Sequence, residues 1–165
     1  MRLLNRDRYV LRLPCDRLTA LGTLRSYTSN KTLNSRGVDR YFSGTLGEDE
    51  FRLTPLISGR NSWLPVLRGT ITEETDGACR VEIDARPGLF TRVFMAIWYG
   101  FLGVVSAVGA ITLCLAPEET GTWVIFPAAC VILLLGFLVS HFAFWIPARK
   151  AKQTLLDIWN GEEIR

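Results

Sequence analysis

Residues 93–116 read VFMAIWYGFLGVVSAVGAITLCLA and residues 122–148 read TWVIFPAACVILLLGFLVSHFAFWIPA; neither run contains Asp, Glu, Lys or Arg. A helix needs about 20 apolar residues to cross a hydrocarbon core roughly 30 Å thick, so each run is long enough to span. A buried helix of a soluble protein is also apolar all round. Two such runs back to back in a chain of 165 residues would leave too little polar surface to cover them. The pattern predicts a two-helix transmembrane hairpin over 90–148, with spans at about 93–116 and 122–147. The acidic turn Pro117-Glu118-Glu119-Thr120-Gly121 joins them.

Charge gives the hairpin an expected direction. The turn carries two glutamates and no basic residue, whereas Arg80, Arg86 and Arg92 precede the first span and Arg149, Lys150 and Lys152 follow the second. Basic flanks stay on the cytoplasmic side, so both termini are expected there. Trp98, Tyr99 and Trp145 fall near the inner interface and Trp123 near the outer one, positions that favour amphipathic rings. The opening Met1-Arg2-Leu3-Leu4-Asn5-Arg6-Asp7-Arg8 lacks the apolar stretch of a secretion signal, which leaves the hairpin to carry the soluble part to its compartment.

The net charge of +3 is mild and its basic residues are dispersed, which argues against nucleic acid as a partner. Arginine greatly outnumbers lysine. Guanidinium groups suit phosphate and lipid headgroups, although biased codon usage produces the same excess. Cys15, Cys79, Cys114 and Cys130 form no C-x-x-C pair and read as buried free thiols in a reducing compartment, not as a zinc site. Asn30-Lys31-Thr32 matches a glycosylation acceptor that a cytoplasmic segment would leave unmodified.

The soluble part, 1–89, begins with a short alternating strand at Tyr9, Leu11 and Leu13, ended by Pro14. Asp16 offers an N-cap to a helix carrying Leu18, Leu21 and Leu24, weakened by Gly22, and the polar stretch 26–37 reads as a loop. Phe42, Gly44 and Leu46 then alternate toward the turn 47–50, after which Phe51 and Leu53 resume the alternation. A second strand pair runs over about 64–73 and 79–85, with Val81 and Ile83 facing one way and Arg80, Glu82 and Asp84 the other. The fold class expected is an α+β cytosolic domain, an antiparallel sheet with one or two helices, followed by the hairpin. Pro147 is expected to end or kink the second span. Beyond it, 149–165 reads as an amphipathic helix with Ala151, Leu155, Ile158 and Trp159 on one stripe and Gly161 as its C′ stop. Docking on the sheet is favoured over the lipid interface, because a small sheet needs an apolar cover.

Tyr41-Phe42-Ser43-Gly44, Phe51-Arg52-Leu53, Arg60-Asn61-Ser62-Trp63-Leu64-Pro65, Gly69-Thr70-Ile71 and Val81-Glu82-Ile83, followed by two spans, resemble a loosely defined set of small bacterial membrane proteins of uncharacterised activity. The resemblance implies a bacterial inner-membrane protein with a β-rich cytosolic domain, and implies no activity.

Three features draw a functional reading. Arg60, Asn61 and Trp63 could contact an anionic or planar ligand through charged hydrogen bonds and stacking; the same residues also suit a strand connection with Trp63 plugging the sheet core. His141 is an ionisable group inside a span, but without a charged partner it reads as a neutral imidazole bonded to a carbonyl or to Ser140. Ala96, Gly100, Gly103, Ala107, Ala110 and Cys114 form a small-residue seam in the first span. Ala129, Gly136, Ser140 and Ala143 follow the same register in the second, with Leu133 filling the missing position. Such seams pack the two spans on each other or pair hairpins between chains.

No nucleophile and base pair, metal spacing or phosphate loop is present, so no catalytic residue, metal or cofactor is assigned. The reading that results is a non-enzymatic membrane-anchored module that binds a protein or a lipid headgroup at the cytoplasmic face. A small transporter or channel subunit acting as a homo-oligomer is the alternative, disfavoured by charge-free spans.

Overall fold

A computed structural model describes residues 5–29, 41–57, 62–75, 77–115 and 121–164. Arg60, Asn61, most of the acidic turn and the Asn30-Lys31-Thr32 match lie outside these residues.

Successive side chains of a strand point to opposite faces, and apolar residues at every second position therefore give a sheet one dry side. In β1 (Asp7–Leu13) Tyr9, Leu11 and Leu13 are buried while Arg8 and Arg12 are exposed. In β3 (Phe42–Leu46) only Phe42 is buried, and the alternation resumes through β4 (Glu50–Pro55), β5 (Pro65–Glu73) and β6 (Cys79–Pro87). These strands and the short β2 (Thr28–Ser29) and β7 (Glu162–Ile164) form one sheet in the order β2-β3-β4-β5-β6-β1-β7.

Seven strands are thus found among the described residues where five were expected, and the sheet is mixed, since β2 runs parallel to β3. Part of the predicted loop is β2, and β7 is an addition after the C-terminal helix. Two and three residues are too few for a period of two to be read, which is why both strands escape the sequence pattern.

Helix α1 (Arg17–Ser26) forms despite Gly22, and lays Ala20 and Leu24 on the dry face. Asp16 precedes it in extended conformation, and its carboxylate accepts a hydrogen bond from the Thr19 hydroxyl. The larger part of the cover comes from the end of α3 (Thr122–Trp159), where Ala151, Leu155 and Trp159 recur every fourth residue and all join the sheet core. Leu155 is fully buried, a position where truncation to alanine costs about 2–5 kcal/mol. Trp159 lies against Phe51, ring centroids 6.1 Å apart, and its Nε1 donates to the Ala20 carbonyl at 3.0 Å. The expected docking of the C-terminal helix on the sheet is therefore what the structure has.

Of the two outcomes expected at Pro147, an end to the helix does not occur, and α3 runs from Thr122 to Trp159. Proline removes one backbone donor, at a cost of about 3 kcal/mol in a helix interior. Burial of Phe144 and Ala148 on either side, continued by Ala151 and Leu155, offsets that cost. The C′ residue is also displaced by one. Asn160, at φ 48°, takes the left-handed position, and Gly161 N–H bonds the Leu156 carbonyl at 3.2 Å in a Schellman closure. Gly161 serves close approach instead, because a Cβ there would sit 2.6 Å from Leu13 Cδ2.

The chain divides into two compact units, Met1–Gly88 with Ala143–Arg165, and Leu89–Phe142. The first is the sheet with its helical cover. The second pairs α2 (Leu89–Leu115) with the first part of α3, and both helices are long and apolar enough to cross a membrane.

A Cβ added at Gly69 would lie 2.1 Å from the buried Phe51 ring, whereas nothing lies within 4 Å of one at the exposed Gly22. Gly69→Ala is expected to destabilise the sheet unit by about 1–3 kcal/mol through overpacking. Gly22→Ala should stabilise it by about 0.5–1 kcal/mol by restricting the unfolded chain. Thermal unfolding of the detergent-solubilised chain, followed by circular dichroism, checks both; opposite signs of ΔTm are the expected result.

Candidate functional site

The sheet face turned away from α1 and α3 carries its polar residues in straight rows. Antiparallel register places Thr45 opposite Arg52, Arg52 opposite Arg68, Arg68 opposite Asp84, and Asp84 opposite Arg8, crossing five strands. One step along the strands lies a second row, Glu50, Thr70, Glu82, Val10 and Ile164. Together the rows floor an open groove of about 1340 Å³.

Asp84 is the hub of the first row. Arg6 grips it with two hydrogen bonds, Nε to Oδ1 at 2.8 Å and Nη2 to Oδ2 at 2.6 Å. Arg86 donates a further bond to Oδ2, and Arg8 Nε stands 3.7 Å from the same oxygen. Burial alone would push this carboxyl up, but the guanidinium hydrogen bonds more than reverse it and hold the group below the usual carboxylate range. Two other acids of the groove have bases of their own, Glu82 with Arg80 at 3.2 Å and Glu163 with Lys152 at 2.5 Å. Arg52 and Arg68 are both exposed and directly opposed, and among the described residues neither has an acidic partner. Strand alternation alone turned Arg52 and Arg68 outward; their pairing depends on register, which the sequence does not state.

Of the predicted ligand contacts, Arg60 and Asn61 lie outside the described residues. Trp63 is half-buried at the start of the connection into β5 and is not part of the core cluster, so it does not plug the sheet core as expected. Cys79 is buried, Cys15 and Cys130 are half-buried and Cys114 is exposed; all four thiols are free. Burial pushes the Cys15 and Cys79 thiols up, away from the reactive thiolate, reinforced by the nearby Asp16 charge. No group of three metal-ligating side chains occurs among the described residues.

Within the helical unit the two predicted seams part company. Ser140 is buried and Gly136 faces α2, with its missing Cβ 3.7 Å from Trp98 Nε1 and 4.0 Å from the Tyr99 ring. The Ser140 hydroxyl donates to the Phe137 carbonyl at 2.9 Å, so the 3.0 Å bond between Tyr99 Oη and Ser140 Oγ must be donated by tyrosine. On α2, however, Gly100, Gly103 and Ala107 are exposed and Ala110 is half-buried. The side of α2 that is buried holds Leu102 and Gly109, one residue around the helix, which is a turn of about 100°. The first-span seam thus does not pack against the second span of its own chain. The Tyr99–Ser140 bond accounts for the rotation, since a hydroxyl among apolar side chains gains most by finding a polar partner on the neighbouring helix. His141 stacks on Phe137 and meets Phe142 edge-on, at centroid distances of 6.0 and 5.8 Å.

No protein-family model, curated protein or solved structure matches this chain.

Two variants read the helix pairing. Nothing lies within 4 Å of a Cβ at Gly103, whereas one at Gly109 would stand 3.1 Å from Phe126 Cβ. Gly109→Leu is expected to break the pairing and Gly103→Leu to leave it intact, as measured by disulfide crosslinking between cysteines substituted at 98 and 136, with Tyr99 retained. Equal crosslinking in the two would contradict the observed face.

The Asp84 network contributes stability that is fully present above the ordinary carboxylate value near pH 4, and is lost as pH falls through the depressed folded value. Asp84→Asn should therefore lower stability at neutral pH by about 1 kcal/mol and flatten the acid limb of a Tm-against-pH profile.

Proposed function

We propose that this chain is a non-enzymatic, membrane-anchored module of the bacterial inner membrane. Both termini face the cytoplasm, and the α+β unit binds a protein or a lipid headgroup there. The observation that carries the reading is the exposure of apolar surface on the two long helices. Phe90, Ile97, Phe101, Val104, Leu115, Trp123, Val124, Leu134, Val139 and Phe142 are each more than half exposed. Water would penalise that much apolar area at about 25 cal/mol per Å², and a bilayer removes the penalty. The arginine and lysine flanks and the acidic turn favour termini inside. The resemblance to small two-span bacterial proteins supports the compartment. The uncovered polar face of the sheet, with two arginines lacking an acidic partner, supports a binding role for the soluble unit.

Alkaline washing of membranes and impermeant labelling of a single cysteine at position 118 or 160, on intact and on permeabilised cells, test this reading. Retention in the membrane, with 118 labelled from outside and 160 labelled only after permeabilisation, is the expected pattern. Release by alkali, or labelling of 160 in intact cells, would sink it.

A further inference from the structure

We infer that Arg52 and Arg68 form a two-point site for the phosphate of an anionic phospholipid headgroup, an assignment that rests on the membrane-anchored reading above. The two side chains face each other across β4 and β5 on the exposed side of the sheet. Directly opposed residues hold their Cβ atoms about 5 Å apart, a separation from which two guanidinium groups can share one phosphate through charge-assisted hydrogen bonds. Like charges so placed repel in the absence of an anion. Asp84, the carboxylate opposite Arg68, is already held by Arg6 and Arg86, with Arg8 close by. The chain therefore does not neutralise the pair from this side.

The neighbours define the size of the ligand. Thr45 beside Arg52, and Thr70 on the next row, are hydroxyl donors for the remaining phosphate oxygens. Glu50 and Glu82 flank Thr70 within that next row and would repel any anion extending over it. A compact headgroup fits this arrangement and an extended polyanion does not. The source is argued from the anchor. An open sheet face offers side-chain donors and no converging backbone amides, a weak grip for a phosphate drawn from solution. Two membrane-length helices on the same chain raise the local concentration of headgroups and make a weak site sufficient.

The test is arginine modification by phenylglyoxal on the full chain in lipid nanodiscs, read residue by residue by mass spectrometry, with the exposed Arg25 of α1 as internal reference. Going from phosphatidylcholine to phosphatidylglycerol-containing discs should slow Arg52 and Arg68 about fivefold relative to Arg25, the factor expected for one arginine at an anionic surface. In R68Q, Arg52 should return to the Arg25 rate, and in R52Q, Arg68 should do the same. Removing one of two opposed charges leaves the fold as stable as before or more so, and unfolding temperatures of the variants check that. The site is overturned if Arg25 slows equally, if Arg52 remains protected in R68Q, or if soluble glycerol phosphate in neutral discs gives the same protection at matched phosphate concentration. Loss of this protection in a chain that still resists alkaline washing removes the site alone and leaves the anchoring intact.

Discussion

The sheet unit closes on Trp159. A sheet with one dry face is unstable until something apolar covers it, and α1, with Ala20 and Leu24 as its only buried residues, is too small to do so. The end of α3 supplies the rest through Ala151, Leu155 and Trp159. The indole is pinned from two directions, by the Phe51 ring and by the Ala20 carbonyl, and joins sheet, first helix and last helix in one contact set. The Schellman closure at Asn160 then returns the chain to the edge of β1, where β7 forms and Glu163 meets Lys152. Lys152 Nζ also sits 4.7 Å from the centre of the buried Tyr9 ring, which ties the edge strand back to the core. The helix that covers the sheet is a continuation of the second membrane-length segment, so folding of the sheet unit consumes residues a reading by hydropathy would assign to a separate tail.

That overlap shows where the sequence was readable. Alternation in 79–85 announced β6 and its two faces, and the spacing of Ala151, Leu155 and Trp159 announced the docking stripe. Both are local periodicities, and local periodicity survives without knowledge of the partner. Pro147 is a partial counterexample: the rule that proline ends or kinks a helix is also local, and its ending half loses here to burial on both sides. Strand order, the parallel β2–β3 pair and the alignment of Arg52 with Arg68 are non-local, fixed by which strands meet and in what register. The candidate site was accordingly half legible. The outward direction of Arg52 could be read from Phe51 and Leu53 beside it, and the arginine across from it could not.

The helical unit makes a related point about rotation. Small residues every three or four positions mark a stripe along which a neighbour can approach, but a helix apolar all round offers several stripes and no hydrophobic preference among them. A polar pair breaks the tie. With Tyr99 donating to Ser140, Gly109 and Gly136 come to lie in the contact and Gly100 and Gly103 are turned out of it. The apolar run of α2 is indifferent to rotation, and the single phenol hydroxyl within it is not.

Charge on the open sheet face obeys a similar economy. Asp84 accepts two arginines in hydrogen bonds and attracts a third, while the directly opposed Arg52 and Arg68 share none. A face arranged for stability alone would spread its acids so that each opposed pair had opposite signs, since such pairs stabilise a sheet and like pairs destabilise it. Concentrating three bases on one carboxylate while leaving two others opposed costs the fold stability at Arg52 and Arg68. It keeps them available to an anion from outside, and sites that bind are commonly where a fold is less stable than it could be.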